Sequence, residues 1–453
     1  MSVETQHPDY TDSLPKWSLA RTCVSGAQAV RKARTLYLPN PDANDTKRYD
    51  AYIERAQFLN VTARTRNAMV GMAFRRPSEI EIAGIEYIES NANGSGTSLE
   101  QLGKVVTGDL LEVGRIGLLA DYPEASQGLS KEQITALGLK ASIKTYTAES
   151  IINWKTDVIG GEVVLSLVVL EESYATAGDE FNQDEEAQYR VLKLVDDVYT
   201  IEIWRDNQIY GEPSQPRANG QFLNRIPFTI AGTYSNDPAV DNAALYDIAE
   251  INIGHYRNSA DYEEGIFLHG QPMLHIDAGD MGADQWSKLN PDGVKVGARR
   301  GIVTNGGGSA NLLQAEANGG AHEAMKLKED QMVSIGARMI EAGGQAETAE
   351  AARIKHAGDN SVLTNIVQNA SSAIQTALEW VAMFMGVNTT PVFIINDDFY
   401  DKSIDAQMLM AKIQLLDRAV ISKTDLRASL RKAGEIERSD EDIDGDAEDV
   451  SVI

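Results

Sequence analysis

The chain has 453 residues, enough to bury a large core and to divide into two or three domains. Its 41 lysines and arginines against 67 aspartates and glutamates leave a net charge of −26, opposite in sign to a nonspecific nucleic-acid binder. The single cysteine, Cys23, excludes an internal disulfide, no window approaches the ~20 apolar residues of a membrane helix, and residues 1–17 lack a signal-peptide core, so an intracellular protein without a membrane span is expected.

Residues 9–40 read as turn-rich and basic, closed by Pro39 and Pro41. The spacing of Tyr49, Tyr52, Ile53, Ala56 and Leu59 predicts one helix over 45–71, and Pro77 ends the helical zone. Residues 21–76 hold eleven lysines and arginines against four acids. This stretch reads either as a helical surface paired with acidic neighbours or as a docking face for nucleic acid or an acidic partner. Residues 91–97 (NANGSGT) read as a flexible loop, and Ser98 with Gln101 forms a capping box that opens a helix over 99–113, stopped by Gly114. A buried strand over 116–120 follows, and Tyr122 and Pro123 turn the chain away.

From 143 to 230 short β-rich runs (163–170, 189–194, 198–204 and 226–230) are separated by Asp, Gly and Pro clusters, with connections too short for crossover helices. Hairpins are expected, with the acidic insert 171–186 as a solvated loop. Helical spacing returns over 243–268, where His255 and Ser259 fall on the face of Leu245, Ile248, Ile251, Tyr262 and Ile266. Residues 271–320 are glycine-rich, with strand-like pieces at 273–276, 294–296 and 302–304 and too few large apolar residues for a core of their own. Pairing with a neighbouring copy of the chain is the simplest remedy. A helix over 321–342 (Met325, Met332, Ile335, Met339) is interrupted by Gly343 and Gly344. The proline-free run 349–386 then places Leu363, Val367, Ala370, Ile374, Ala377 and Val381 on one stripe of a very long helix. Continuous, it would extend roughly 55 Å, with Gly358 able to bend it. A strand over 391–395, helices over 404–416 and 424–432, and an acidic tail complete the chain.

Several chemical signals are missing. The run Asn305-Gly306-Gly307-Gly308-Ser309 lacks the Lys-Ser/Thr of a phosphate loop, and no GxGxxG opens a helix after a strand. His322-Glu323 begins like a zinc-protease helix, but Lys326 stands where the second histidine belongs. Asp440, Asp442, Asp444 and Gly445 match the first half of a calcium loop, yet Ser451 occupies the position of the bidentate acid, so a disordered acidic tail is the stronger reading. The six histidines are scattered, and neither Ser25 nor Ser309 sits in a nucleophile elbow. No catalytic residue, metal site or cofactor is assigned.

The chain resembles a family of uncharacterised tailed-bacteriophage proteins regarded as portal proteins. The resemblance lies in Tyr10, Trp17, Arg21 and Gly26; in Tyr37-Leu38-Pro39; in Tyr49-x-x-Tyr52-x-x-Arg55-Ala56-x-Phe58-x-Asn60; and in Gly71-x-x-Phe74-Arg75. It continues in Gly114-Arg115-x-Gly117-Leu118-Leu119-x-Asp121-x-Pro123 and in Asn252-x-x-His255-Tyr256-Arg257-x-Ser259-x-Asp261-Tyr262. These blocks cover about the first 280 residues; beyond them the likeness is of element order, with Thr348-Ala349-Glu350-Ala351 in the matching place.

The resemblance implies an α+β chain of portal architecture: a wing over 1–242 with its β-rich module at 143–236, stem helices over 243–268 and 321–342, and between them a clip over 269–320. It implies a tunnel loop over 343–348 (Gly343, Gly344, Gln345, Ala346, Glu347), a wing helix and strand over 349–400, and a helical crown and tail over 401–453. The function it implies is a ring, usually of twelve copies, at one capsid vertex, through which double-stranded DNA is packaged and ejected. The implied partners are other copies of the chain, the terminase large subunit that drives packaging, head-tail adaptor proteins, and major capsid and scaffold proteins. Lys295, Arg299 and Arg300 are candidates for clip contacts with the motor or with head-completion proteins. Assembly in the host cytoplasm and residence in the virion follow, and no catalysis is expected. A mostly acidic lumen would leave DNA mobile, since phosphate-neutralising cations would brake it; an aid to solubility accounts for the charge equally well. The rival readings are a head or scaffold-interacting protein without a central hole, and an enzyme with a carboxylate site in the β-rich module.

Overall fold

In the computed structural model the chain enters its first helix, α1 (Pro8–Ser25), through a cap at His7, whose Nδ1 accepts from the Asp9 amide at 3.2 Å. The structure describes residues 2–42, 45–123, 138–176, 184–270, 273–277, 279–289, 291, 307–313, 319–340, 362–397, 399, 406–418, 420–432 and 440. α2 (Ala27–Lys32) follows across Gly26. The turn-rich reading of 9–40 is thereby corrected: Tyr10, Trp17, Ala20 and Cys23 make a buried stripe, too sparse in aliphatic residues to register as periodicity. The single helix expected over 45–71 is two, α3 (Thr46–Arg55) and α4 (Val61–Ala73). Ala56 is extended, and Asn60 caps α4 by accepting from the Ala63 amide at 3.0 Å.

β1 (Glu79–Glu81) and α5 (Tyr87–Ser90) lead into the loop 91–97. That loop is knit by its own asparagines: Asn91 Oδ1 accepts from Gly96 N at 2.7 Å, and Asn93 Oδ1 from Ser95 N at 2.8 Å and Thr97 N at 3.2 Å. α6 (Leu99–Val113) opens on the expected capping box, with Ser98 Oγ accepting from Gln101 N at 3.2 Å and Gln101 Oε1 from Ser98 N at 3.0 Å. It closes at Gly114 in the left-handed region, φ 77°. Ser98→Ala is expected to cost about 1 kcal/mol, seen as a lower urea midpoint at unchanged slope; an unmoved midpoint would refute the cap's contribution.

β2 (Arg115–Asp121) pairs antiparallel with β3 (Ser142–Thr147). β4 (Ile151–Ile159), β5 (Glu162–Ala175), β6 (Glu185–Val195), β7 (Val198–Arg205) and β8 (Gln208–Ile209) then form a five-stranded antiparallel meander in chain order. The acidic insert is a correction: β5 runs to Ala175 and β6 begins at Glu185, so much of it continues the hairpin, with Tyr174 OH donating to Glu186 Oε2 at 2.8 Å. β9 (Arg217–Ala218) and β10 (Gln221–Phe222) make a small hairpin, and β11 (Phe228–Gly232) returns to the free side of β2. At that crossing Gly117 lies against Phe228 and Ile151, where a Cβ would stand 2.2 Å from the Phe228 ring.

α7 (Tyr246–His269), β12 (Met273–Asp277), α8 (Ala283–Leu289), β13 (Ser309–Leu313) and α9 (Gly319–Ile340) come next, β12 pairing antiparallel with β13. The strand pieces expected at 294–296 and 302–304 lie outside the described residues. α10 (Val362–Met385) buries all six residues of the predicted stripe against α6, β2 and β11. Its 24 residues make about 36 Å; the remainder of the expected beam, 349–361 with Gly358, lies outside the described residues. β14 (Val392–Ile394) pairs with β1, a strand that sequence spacing did not indicate.

The chain divides into two compact units, Met1–Asp397 and Asp398–Ile453. The second holds α11 (Ala406–Asp417) and α12 (Lys423–Lys432), the latter capped by Ser422 Oγ accepting from Asp425 N at 3.0 Å. Of the acidic tail only Asp440 is described, 3.8 Å from Arg427. Helices and separate antiparallel sheets in one chain make the fold α+β, as expected. Among the described residues no helix is long and apolar enough to cross a membrane.

Candidate functional site

Two sequence blocks far apart in the chain meet on α7. Asn252 is buried and accepts at Oδ1 from Thr62 N (3.3 Å) and Thr62 Oγ1 (2.9 Å), while its Nδ2 donates to Leu59 O at 2.8 Å. Two turns on, Ser259 Oγ donates to Gln57 O at 2.8 Å and accepts from Gln57 N at 2.9 Å. These bonds use the backbone of 57–62, which is why that segment leaves the helical path between α3 and α4. Further along, Tyr52 OH donates to Asp261 Oδ1 at 2.6 Å, and Arg55 pairs with Glu264. Burial first and the Asp261 carboxylate second push the Tyr52 phenol above its usual value. The apolar filling between them is Cys23, Tyr49, Tyr52, Ile53, Ala249, Ile253, Tyr256 and Ala260. Burial pushes the Cys23 thiol up to about 12, so it is unreactive at neutral pH.

α9 lies antiparallel along the other side of α7. His255 Nε2 is 3.0 Å from Glu329 Oε1, Gly254 faces Lys328, and the Tyr262 and His322 rings stand 5.7 Å apart. Gly336 approaches Thr65, a Cβ there meeting its Cγ2 at 3.3 Å. Toward the β12–β13 hairpin this packing gives out. Ile266 and Leu268 at the end of α7 are 50 and 45% exposed, and Phe267, 41% exposed, is covered on one face by Arg55, 4.2 Å from its ring centre. Among the described residues the hairpin's only sheet partner is itself.

Of the residues singled out in the sequence, Gly343, Gly344, Gln345, Ala346 and Glu347 and likewise Lys295, Arg299 and Arg300 lie outside the described residues. His322 and Glu323 are exposed on α9, and no group of three or more His, Cys, Asp or Glu among the described residues is placed to hold a metal.

Much of the basic stretch is neutralised within the fold. Arg21 is held by Asp109 (2.8 Å), Glu112 (2.7 Å) and Glu149 (3.0 Å), and Arg66 Nε lies 2.8 Å from Glu112. Arg34 pairs with Asp50, and Arg48 and Arg55 with Glu264. This favours the reading of a helical surface paired with acidic neighbours. Two carboxylates of the β-rich module are engaged too: Glu172 accepts from Arg190 Nε (2.7 Å), Tyr146 OH (2.6 Å) and Gln188 Nε2 (3.0 Å), and Glu202 pairs with Lys193 at 2.7 Å. Burial raises the Glu172 carboxyl, but these donors outweigh it and hold the group below its usual value.

Sequence reading missed two features here. The Arg21 cluster draws on residues 88 and 128 positions away, which no local pattern reveals. Arg115, 1% exposed, has no hydrogen-bond partner among the described residues at any guanidinium nitrogen; it lies 3.9 Å from the centre of the Trp154 ring, and burial pulls it down to about 10.

Residues 244–385, from the start of α7 through α10, match a family model described as a domain of unknown function, DUF4055. No curated protein matches the chain by sequence. Similar solved structures include a chain from the neck of a native GTA particle computed with C12 symmetry (14% identity, 82% of this chain and 89% of that one covered, TM-score 0.41). A chain from the neck of an empty GTA particle computed with C6 symmetry gives 14% identity, coverage of 90% and 98%, and a TM-score of 0.42. A chain from the virion of a native gene transfer agent particle gives 13% identity, coverage of 88% and 98%, and a TM-score of 0.41.

Proposed function

We propose that the chain is a structural protein of a phage or phage-like particle, and specifically one subunit of a portal ring that conducts double-stranded DNA at a capsid vertex. The observation that carries this reading is the helix pair α7 and α9. The two helices are tied to the body at one end and joined through a hairpin that pairs only with itself among the described residues, and α7 is apolar and partly exposed where it approaches that hairpin. Apolar side chains left in water at that end are costly, and adjacent copies would remove them from it. The sequence blocks on which the portal resemblance rests support the same reading, because 49–60 and 252–262 form one continuous interface in the fold. In this assignment α7 and α9 are the stem, the segment between them the clip, and the meander and α10 the wing. The ring holds twelve copies, as the resemblance implies, and the terminase large subunit and head-tail adaptors dock on it. In the β-rich module Glu172 and Glu202 are each held by a cation, which favours a structural role for them over a catalytic one.

Electron microscopy of the purified protein tests the proposal: rings with an axial hole are expected, and a population of monomers and dimers alone would refute it. Replacing both Gly343 and Gly344 with valine is expected to impair genome packaging while rings still form. Normal packaging by that variant would remove the tunnel-loop assignment.

A further inference from the structure

Residues 2–7 lie across the meander, tied at both of its edges. At the far edge, in the turn between β7 and β8, Ser2 Oγ donates to Asn207 Oδ1 at 2.6 Å, Val3 N donates to the same oxygen at 3.2 Å, and Asn207 Nδ2 donates to Glu4 Oε1 at 3.3 Å. At the near edge, on β4, Asn153 Nδ2 donates to Thr5 O at 2.8 Å and His7 N donates to Ile152 O at 2.9 Å. Between the two attachments the chain makes a turn, Thr5 N donating to Ser2 O at 3.3 Å and Thr5 Oγ1 to the same oxygen at 2.8 Å.

The two attachments differ. The far one consists of exposed hydrogen bonds around a single side chain, Asn207, held in the left-handed region at φ 59°. The near one is a stack. The His7 ring lies 4.0 Å from the Trp154 ring at an interplanar angle of 16°, and Arg115 lies 3.9 Å from the same ring. Two groups this close to one ring centre occupy its opposite faces. His7 also caps α1, so the segment ends on the helix that carries Arg21.

We propose that residues 2–7 form a releasable strap, which latches the five-stranded sheet to α1 and opens as one unit between Asn207 and Trp154. Exposed hydrogen bonds with little apolar burial mark the least stable part of a fold, so the strap opens well before α1 unfolds. Opening frees the Ile152 carbonyl and the Asn153 amide on the edge of β4 and bares the outer face of Trp154.

Amide hydrogen exchange on the full-length protein tests this from both ends. Asn207→Gly keeps the left-handed turn and deletes the side chain; it is expected to speed exchange at the His7 amide at least tenfold, leaving the buried stretch of α1 around Trp17 and Ala20 unchanged. His7→Asn keeps a capping side chain and deletes the ring, and is expected to speed exchange at Val3 at least tenfold. If each variant alters only the amides beside it, the two attachments are independent and the strap is refuted. Exchange at His7 in the unaltered protein as slow as at Ala20 would refute it equally, because the segment would then be a fixed part of the helical body.

Discussion

Replacing Arg21 with methionine is expected to destabilise the first unit by about 3–5 kcal/mol, the range for removing one partner of a buried ion pair. Asp109 and Glu112 are 7 and 5% exposed, and Glu149 stands beside them, so the substitution leaves three carboxylates with Arg66 as the one cation paired to them among the described residues. The pH dependence distinguishes this from a simple packing loss. Burial raises the Glu149 carboxyl, but the hydrogen bond and charge of Arg21 outweigh it and hold the group below its reference value of 4.5. A carboxyl held down in the folded state contributes stability that is present above 4.5 and lost as pH falls through its folded value. In the variant the hydrogen bond and charge of Arg21 are gone and burial is opposed by the Glu149 backbone and Thr147 hydrogen bonds alone, so this acid-labile contribution shrinks and acidification costs the variant less than the parent. Urea midpoints at neutral pH and near pH 4 should therefore show a wide gap between the two proteins that narrows on acidification; a gap independent of pH would refute the electrostatic account.

Gly117→Val is expected to cost about 3 kcal/mol, the upper part of the usual range for overpacking a core. Valine suits a strand in general, but here its Cβ would stand 2.2 Å from Cζ of Phe228 and 2.9 Å from Cδ1 of Ile151. The Phe228 ring is 5% exposed and packs on Tyr146, with ring centres 6.1 Å apart, so it has little room to withdraw. If the clash is the cause, Phe228→Ala in the Gly117→Val background should be less damaging than the sum of the two single changes. Strict additivity in that double-mutant cycle would place the cost elsewhere.

What could be read from the sequence follows the range of the forces involved. The capping box at Ser98, the stop at Gly114, the apolar stripe of α10 and the spans of α7 and α9 depend on residues within a few turns of one another, and the structure has them close to where spacing put them. The elements that escaped depend on distant partners. α1 owes its buried side to packing against α6 and α7, and β1 exists because β14 lies beside it. The break between α3 and α4 is set by Asn252 and Ser259, about 190 to 200 positions away. For the candidate site, the motif on α7 was visible as a pattern of polar residues at helical spacing. Its purpose was not, because the groups it bonds are largely backbone amides and carbonyls of 57–62, which carry no sequence signature.

The grip on α7 is uneven along its length. Hydrogen bonds and ion pairs seize it from Asn252 to Glu264, whereas beyond that point Arg55 touches the Phe267 ring and Ile266 and Leu268 are about half exposed. Mechanically that is a cantilever, clamped at the root and loaded at the tip. A sideways push at its hairpin end develops its largest bending moment where the clamp begins, at Glu264 and its arginines on α3. Torque would thus reach α3 first.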